Sequence, residues 1–276
     1  IDHTFQIRPA KIINSHLSSE VSRLIFIYLL RINRNMKTAV ISDIHGNLEA
    51  LLTVMEEVRH ESADRVICLG DMVGYGPQPE EVVQLIREKR IRSVYGNHEA
   101  ALWDRRIYES MNSNARTSID ITRNLISQST LDWLKKLKRS LNTENALYVH
   151  GLPPHSFTKY ISNQNDLGLT DAFGSYEQQI AFCGHTHLLG LYSYDGKNVP
   201  RMLLREGMFT LNPAQRHIIN AGSVGQPRDG DPRAKYILFH ENELKIEVRC
   251  VKYKISKTAS LLRERGFPEY NALRLF

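Results

Sequence analysis

The sequence predicts a layered α/β fold built on two sheets, and three observations predict it. Strand-like and helix-like runs alternate through the first half. A series of short β-rich runs fills the second half, and nothing between residues 36 and 276 is rich enough in Gly, Ser or Pro to act as a linker. At 276 residues the chain is long enough to bury a sizeable core.

TAVIS, just after Met36, reads as a buried strand, and residues 47–59 read as a helix with Leu48, Leu51, Leu52 and Met55 on one side. RVICLG is a second strand, residues 79–89 a second helix and IRSVYG a third strand, after which a more helical region runs to about Leu137. That alternation implies right-handed crossovers. ALYVHG, QIAFCG, LLGLYSY, RMLLRE, HIINAG, KYILFH and LKIEVRC are short strands separated by turn residues such as Asp195, Gly196 and Pro232. A final helix is expected near residues 257–265. Ahead of this 36–276 domain, residues 1–35 form an N-terminal extension. One amphipathic helix is expected there, capped by Ser18 or Ser19, with Val21, Leu24, Ile25, Tyr28 and Ile32 at helical spacing. It would dock on the main domain or on a second copy of the chain, which would make a homo-oligomer.

The net charge of +6 raises the question of a nucleic-acid partner. Residues 1–35 carry Arg8, Lys11, Arg23, Arg31 and Arg34 against Asp2 and Glu20, so half of that excess sits in the extension. What remains is too dilute for an electrostatic footprint on DNA or RNA. Cys68, Cys183 and Cys250 show no metal-binding or redox spacing, which fits a reducing compartment, and the cytoplasm is the default. The longest strongly apolar run, residues 24–30, is far short of the ~20 residues a membrane span needs.

Five polar clusters stand where predicted strands end: SDIHGN (residues 42–47), GD (70–71), GNHE (96–99), HG (150–151) and GHTH (184–187). Loops at the carboxyl ends of strands in an open α/β sheet converge on a ligand crevice. Asp43, His45, Asp71, Asn97, His150, His185 and His187 form a mixed oxygen and nitrogen donor set without thiolate. Such a set suits first-row divalent metals such as Mn, Fe, Co, Ni or Zn better than Ca or Mg. Asp43 and His45, and likewise His185 and His187, are two apart, so each pair projects to one side of an extended segment. Singly each cluster is an ordinary turn; together, each directly after an apolar run, they point to one site.

The ordered set D-x-H, GD, GNH[DE], H and GH-x-H resembles the calcineurin-like metallophosphoesterase superfamily, from Met36 to about Gly225. The β-rich tail is similar to the small bacterial and archaeal phosphodiesterase-type members. The resemblance implies a β-sandwich of two mixed sheets flanked by helices, in α-β-β-α layers, and two divalent transition-metal ions, manganese foremost. Asp43, His45 and His187 would hold one ion, Asn97, His150 and His185 the other, and Asp71 would bridge them. A metal-bound water would attack a small phosphate ester, diester or monoester, and His98 would stabilise the phosphoryl group and protonate the departing alkoxide. Asn47 is either a candidate substrate contact or only a helix cap. Arg228 is a candidate substrate contact that could fork onto a phosphate, with Asn220 and Ser223 lining the site, or the 220–234 stretch is a Gly/Pro-rich turn with solvated charges. A dinucleoside-polyphosphate hydrolase and a protein phosphatase are the alternatives within enzymes. Gly74 and Tyr75 stand where the protein phosphatases carry Asp and Arg, which argues against the latter. A protein-binding scaffold with a damaged site is the alternative outside enzymes, but all seven ligand positions and His98 are intact. With only ordinary amphipathic material between His98 and His150, the site is expected to lack a lid.

Overall fold

The structure, a computed structural model, describes residues 36–276, and the extension and helix expected within residues 1–35 lie outside them. β1 (Lys37–Ile41), α1 (Leu48–His60), β2 (Arg65–Cys68), α2 (Pro79–Glu88) and β3 (Arg92–Ser93) follow the expected alternation. Asn47 caps α1 by accepting from the Ala50 N–H, and Leu51, Val54 and Val58 form its buried stripe. Pro79 opens α2, where its fixed φ and missing N–H do no harm. Four short helices come next: α3 (Asn97–Ala101), α4 (Arg105–Ser110), α5 (Ser113–Leu125) and α6 (Gln128–Leu134). The second half contains β4 (Ser140–Asn142), β5 (Ala146–Val149), α7 (Asp166–Gly174), β6 (Ile180–Cys183), β7 (Leu189–Tyr194) and β8 (Arg201–Leu203). It ends with β9 (Gly207–Thr210), β10 (Arg216–Ala221), β11 (Ala234–His240), β12 (Lys245–Val251), α8 (Ile255–Glu264) and α9 (Glu269–Leu273).

The strands form two six-stranded sheets, ordered β3-β2-β1-β11-β12-β9 and β4-β5-β6-β10-β7-β8. Both are mixed. β1, β2 and β3 run parallel in the first, and β5, β6 and β10 in the second, with antiparallel strands on the flanks. Strand periodicity explains the layers, because successive side chains point to opposite faces. Val40, Ile67, Tyr148, Phe182, Ile219, Ile237 and Phe239 meet between the sheets. Their neighbours Ala39, Ile41, Tyr236 and Leu238 face α1 and α2 instead. On the other sheet Leu147, Val149, Ala181 and Cys183 face α7, through Leu169 and Phe173. Each of the large buried apolar side chains contributes roughly 1.5–3 kcal/mol. This is the expected α-β-β-α sandwich. Among the described residues no helix is long and apolar enough to cross a membrane.

Three local differences matter. The third strand is only two residues long, extended by a single bridge from Val94 to Lys138. β4 and β9 were not expected, since neither Ser-Leu-Asn nor Gly-Met-Phe-Thr shows a clear apolar alternation. The stretch between His98 and His150, read as ordinary amphipathic material without a lid, supplies α4 and α5 to one side of the site.

Candidate metal centre

The five polar clusters leave the carboxyl ends of β1, β2, β5 and β6 and the loop between β3 and α3. Asp43, His45, Asp71, His185 and His187 all have φ between 49° and 68°, the left-handed region. Outside glycine this costs roughly 1–2 kcal/mol per residue. Hydrogen bonds between the loops hold it in place. Asp43 N–H donates to Gly70 O (3.1 Å), His45 N–H to Asp71 O (2.9 Å), Gly184 N–H to His150 O (2.8 Å) and Gly225 N–H to Asp43 O (3.0 Å). Two glycines are dictated by close approach. A Cβ on Gly96 would lie 2.1 Å from Asp71 Oδ1, and one on Gly74 would lie 2.1 Å from His98 Nδ1.

All seven expected ligand residues come together, and every histidine among them is oriented by a backbone carbonyl. Nδ1 of His45 meets Val73 O at 3.0 Å, that of His150 meets Leu69 O at 2.9 Å and that of His187 meets Gln226 O at 2.5 Å. A carbonyl only accepts, so the proton is assigned to Nδ1 and the Nε2 lone pair faces inward. His185 is turned the other way, with Nε2 against Thr158 O at 3.2 Å and Nδ1 inward. The inward atoms crowd one another. His45 Nε2 and His187 Nε2 are 3.2 Å apart, as are His150 Nε2 and His185 Nδ1, and His150 Nε2 and Asn97 Oδ1. Asp43 Oδ1 lies 3.2 Å from His187 Nε2 and 3.8 Å from His45 Nε2. Asp71 Oδ2 lies between the two groups, 3.2 Å from His150 Nε2 and 3.8 Å from His45 Nε2.

This arrangement fits divalent cations. Lone pairs facing lone pairs repel, and a buried carboxylate oxygen with no partner is costly. Asp43 Oδ1 is such an atom. Metal–ligand bonds of ~2.0–2.2 Å put neighbouring donors roughly 3.0–3.4 Å apart, close to the spacings here. Asp43, His45 and His187 form one group of donors with metal-binding geometry, and Asp71, His150 and His185 another. His45, Asp71 and His98 form a third on the same criterion.

Burial dominates the electrostatics. It drives His45 and His187 well below their ordinary range, His185 to about 3 and His98 to about 4, and it lifts the Asp43 carboxyl to about 6. Burial opposes charge on His150 and Asp71 as well, but their mutual attraction overrides it. His150 is raised to about 9 and Asp71 held well below the usual carboxylate range, so the inward His150 nitrogen takes up a proton near neutral pH that a bound cation would displace.

His98 packs edge-on to His45, with ring centroids 4.7 Å apart, and tilted against Tyr75 at 4.5 Å. The His98 backbone N–H donates to Asp71 Oδ1 at 2.9 Å, and the buried ring Nδ1 has no partner. With Asp71, Asn97, His185, His187 and Arg228 it lines a cleft of about 340 Å³. Ile107 and Met111 of the α4 region and Ala115 of α5 form one wall, and Thr158 and Tyr160 form the other. The site therefore has sides as well as a floor.

Arg228 is in the cleft, as expected for a substrate contact, and Asn47 is not among the residues lining it. The Asn47 amide donates to Gly225 O (2.9 Å) and the Tyr253 hydroxyl (3.1 Å), while its oxygen accepts from Ala50 N–H and Thr258 Oγ1. Its hydrogen-bonding capacity is spent on the scaffold. Asn220 and Ser223 also act from behind: Asn220 Nδ2 donates to Gly184 O (2.7 Å) and Ser223 Oγ to Asp43 O (2.8 Å).

Sequence reasoning missed Glu99. Fully buried, it accepts from the N–H groups of Asp71 (2.8 Å), Met72 (2.7 Å), Val73 (3.1 Å) and Gly96 (2.7 Å). It thus clamps the Asp71 loop to the helix carrying Asn97 and His98. The readable signal was the glutamate three residues after a helix-starting Gly96, half of a capping box. Tyr160, stacked on His185 at 3.9 Å, had no readable signal.

Residues 36–243 match the family model described as the calcineurin-like phosphoesterase superfamily domain. An uncharacterised protein of Methanocaldococcus jannaschii is 34% identical over 248 residues, 86% of this chain and 96% of the relative. The crystal structure of a metallophosphoesterase from Sphaerobacter thermophilus superposes with a TM-score of 0.75 at 33% identity, covering 88% of this chain and 98% of that one. A protein of Buchnera aphidicola named as a symmetrical bis(5'-nucleosyl)-tetraphosphatase is 30% identical over 108 residues, 37% of each chain.

Proposed function

We propose a function from one premise: this chain belongs to the calcineurin-like phosphoesterase superfamily. It hydrolyses phosphodiester or phosphomonoester bonds with the help of two divalent transition-metal ions, manganese foremost and iron, zinc, nickel or cobalt as alternatives. Asp43, His45 and His187 would hold one ion, Asn97, His150 and His185 the second, and the Asp71 carboxylate both. Bound there, the ions would supply Lewis acidity, neutralising charge on phosphoryl oxygens and making water acidic enough to attack near neutral pH.

The protein's own groups do the rest. The carbonyls of Val73, Leu69 and Gln226 fix the imidazoles so that no reorientation is needed when substrate arrives. Glu99 keeps Asp71 and Asn97 in register across two loops. The Arg228 guanidinium binds a phosphoryl oxygen. His98 donates a proton to the leaving oxygen; burial alone leaves its ring neutral, and the negative charge of a bound ester beside it favours the protonated form.

The observation that carries this reading is the buried convergence of inward imidazole lone pairs on two carboxylates, one of whose oxygens has no partner. Metal analysis of the purified protein, followed by bis(p-nitrophenyl) phosphate and p-nitrophenyl phosphate assays with added manganese, tests it. The expected result is about two ions per chain and turnover that a chelator abolishes. A metal-free protein inert on both esters would favour the scaffold reading. A dinucleoside polyphosphate is the second reading of the substrate, supported by the partial likeness to the Buchnera tetraphosphatase. The gap at Gly74 that the His98 ring fills, where protein phosphatases carry Asp, disfavours a phosphoprotein substrate.

A further inference from the structure

Tyr160 closes one side of the cleft. Its ring stacks on the His185 imidazole, with centroids 3.9 Å apart and planes 14° off parallel. That contact uses one face of the ring. Tyr160 lines the cleft and is 37% exposed, so its second face is open to whatever enters. The ring is also held from behind. It leads into a 3₁₀ turn (Ile161–Asn163) anchored by the buried Ile161, and its carbonyl accepts from Asn163 N–H (3.3 Å) and Gln164 Nε2 (3.0 Å). Just before it, Leu152 N–H donates to Lys159 O (3.0 Å) and Lys159 N–H to Ser156 Oγ (3.0 Å). A planar face fixed in advance takes up a second plane at little cost in entropy.

The facing wall matches. Ile107, Met111 and Ala115 are apolar, and Asn112 beside them spends its side-chain oxygen on the Ala115 N–H (2.9 Å), which leaves its amide N–H groups for a ligand. A flat ring, apolar surface across from it and an amide donor suit a heteroaromatic plane with polar edges. An acyl chain has no use for the plane or the amide. At about 340 Å³ the cleft is at the small end of the ~300–1,000 Å³ range of ligand sites, which fits one small ester. Stacked rings keep centroids ~4.5–7 Å apart, so a plane on the open face of Tyr160 would lie roughly 8–11 Å from the imidazole. A sugar fills that span between a base and its phosphate. A phenyl ester, with its ring directly on the ester oxygen, falls short.

We propose that Tyr160 is a base-stacking residue and that the esters this cleft selects are nucleoside phosphates. This rests on the phosphoesterase reading and deepens it: the floor takes the phosphoryl group and Tyr160 takes the base. Every base has a π-face, so stacking selects for the presence of a base and not for one base over another.

The test titrates adenosine 5'-monophosphate and ribose 5-phosphate, which lacks only the base, calorimetrically into the manganese-loaded full chain. The wild type should bind the nucleotide about tenfold more tightly, the worth of one stacked base. Tyr160→Ala should remove most of that preference while ribose 5-phosphate binds as before, and Tyr160→Phe should keep it. No preference in the wild type, a preference that survives Tyr160→Ala, or equal weakening of both ligands would overturn the assignment; the last would reduce Tyr160 to a support for His185. Hydrolysis of bis(p-nitrophenyl) phosphate by the wild type, measured alongside, reports on the phosphoesterase reading separately. An inert protein that still prefers the nucleotide loses that reading and keeps the stacking site; an active one without the preference does the reverse.

Discussion

On the floor of the cleft nearly every side chain is locked by a partner on a neighbouring loop, whereas most of the wall residues are at least partly exposed. Glu99 alone gathers four backbone N–H groups, and Asp43 Oδ2 accepts from Ser42 Oγ (2.6 Å) and His185 N–H (3.0 Å). In the walls, α4 buries no residue fully, and Tyr160 is 37% exposed. Preorganised groups at the floor suit a fixed chemistry, because they need not move as charge develops. Less constrained walls suit a choice of ester, which differs between phosphoesterases that share a floor. Floor substitutions should therefore lower kcat or metal content, and wall substitutions should mainly change KM.

The largest expected effect is from Asp71→Asn, which removes the charge placed between the two donor groups. Turnover should fall by at least ~10³-fold, about 4 kcal/mol, with loss of bound metal by elemental analysis. Full metal content with full activity would show that the floor is not a metal centre. His98→Ala should slow alkyl phosphate esters by ~10²–10³-fold and nitrophenyl esters far less, since nitrophenolate leaves without a proton. Equal losses on the two esters would remove the acid role and leave His98 a phosphate contact.

Glu99→Gln sharpens the comparison, because it keeps the shape and turns two accepting positions into donors facing backbone N–H groups. A drop in unfolding free energy of roughly 2–3 kcal/mol is expected from the denaturant midpoint, with weaker metal retention. If stability and metal content are unchanged, the floor is less tightly determined than its hydrogen bonds suggest. Arg228→Gln, at the edge of the floor, has the smallest expected effect: about tenfold in KM with little change in kcat, measured by initial rates on a nucleotide ester. A loss confined to kcat would move Arg228 to the floor group.

The same division separates what the sequence made legible from what it did not. Floor residues announce themselves, since Asp, Asn and His next to Gly at the ends of apolar runs have few other reasons to occur together. The strands carrying them were legible for the same reason: ALYV and IAFC are buried on both faces and read as continuous apolar runs. Glu99 was hidden because a charged residue is normally read as solvated, and only tertiary contact shows four N–H groups meeting it. β4 and β9 were hidden because edge strands need little apolar patterning. Tyr160 was hidden because a wall is assembled from segments far apart in the chain, with no local spacing to betray it. Asn47 was legible as either a near-site hydrogen bonder or a helix cap, and local spacing alone does not separate the two; in the structure it caps α1.

The left-handed backbone at Asp43, His45, Asp71, His185 and His187 bears on how such a protein would drift once released from selection. Substituting glycine at any of them relaxes an awkward backbone and removes an ionisable group from a dry interior, so a lineage that stopped using the site would gain thermal robustness by erasing it. The scaffold-like descendants of such a fold should therefore fill these five positions with glycine or small neutral residues before their apolar sandwich changes.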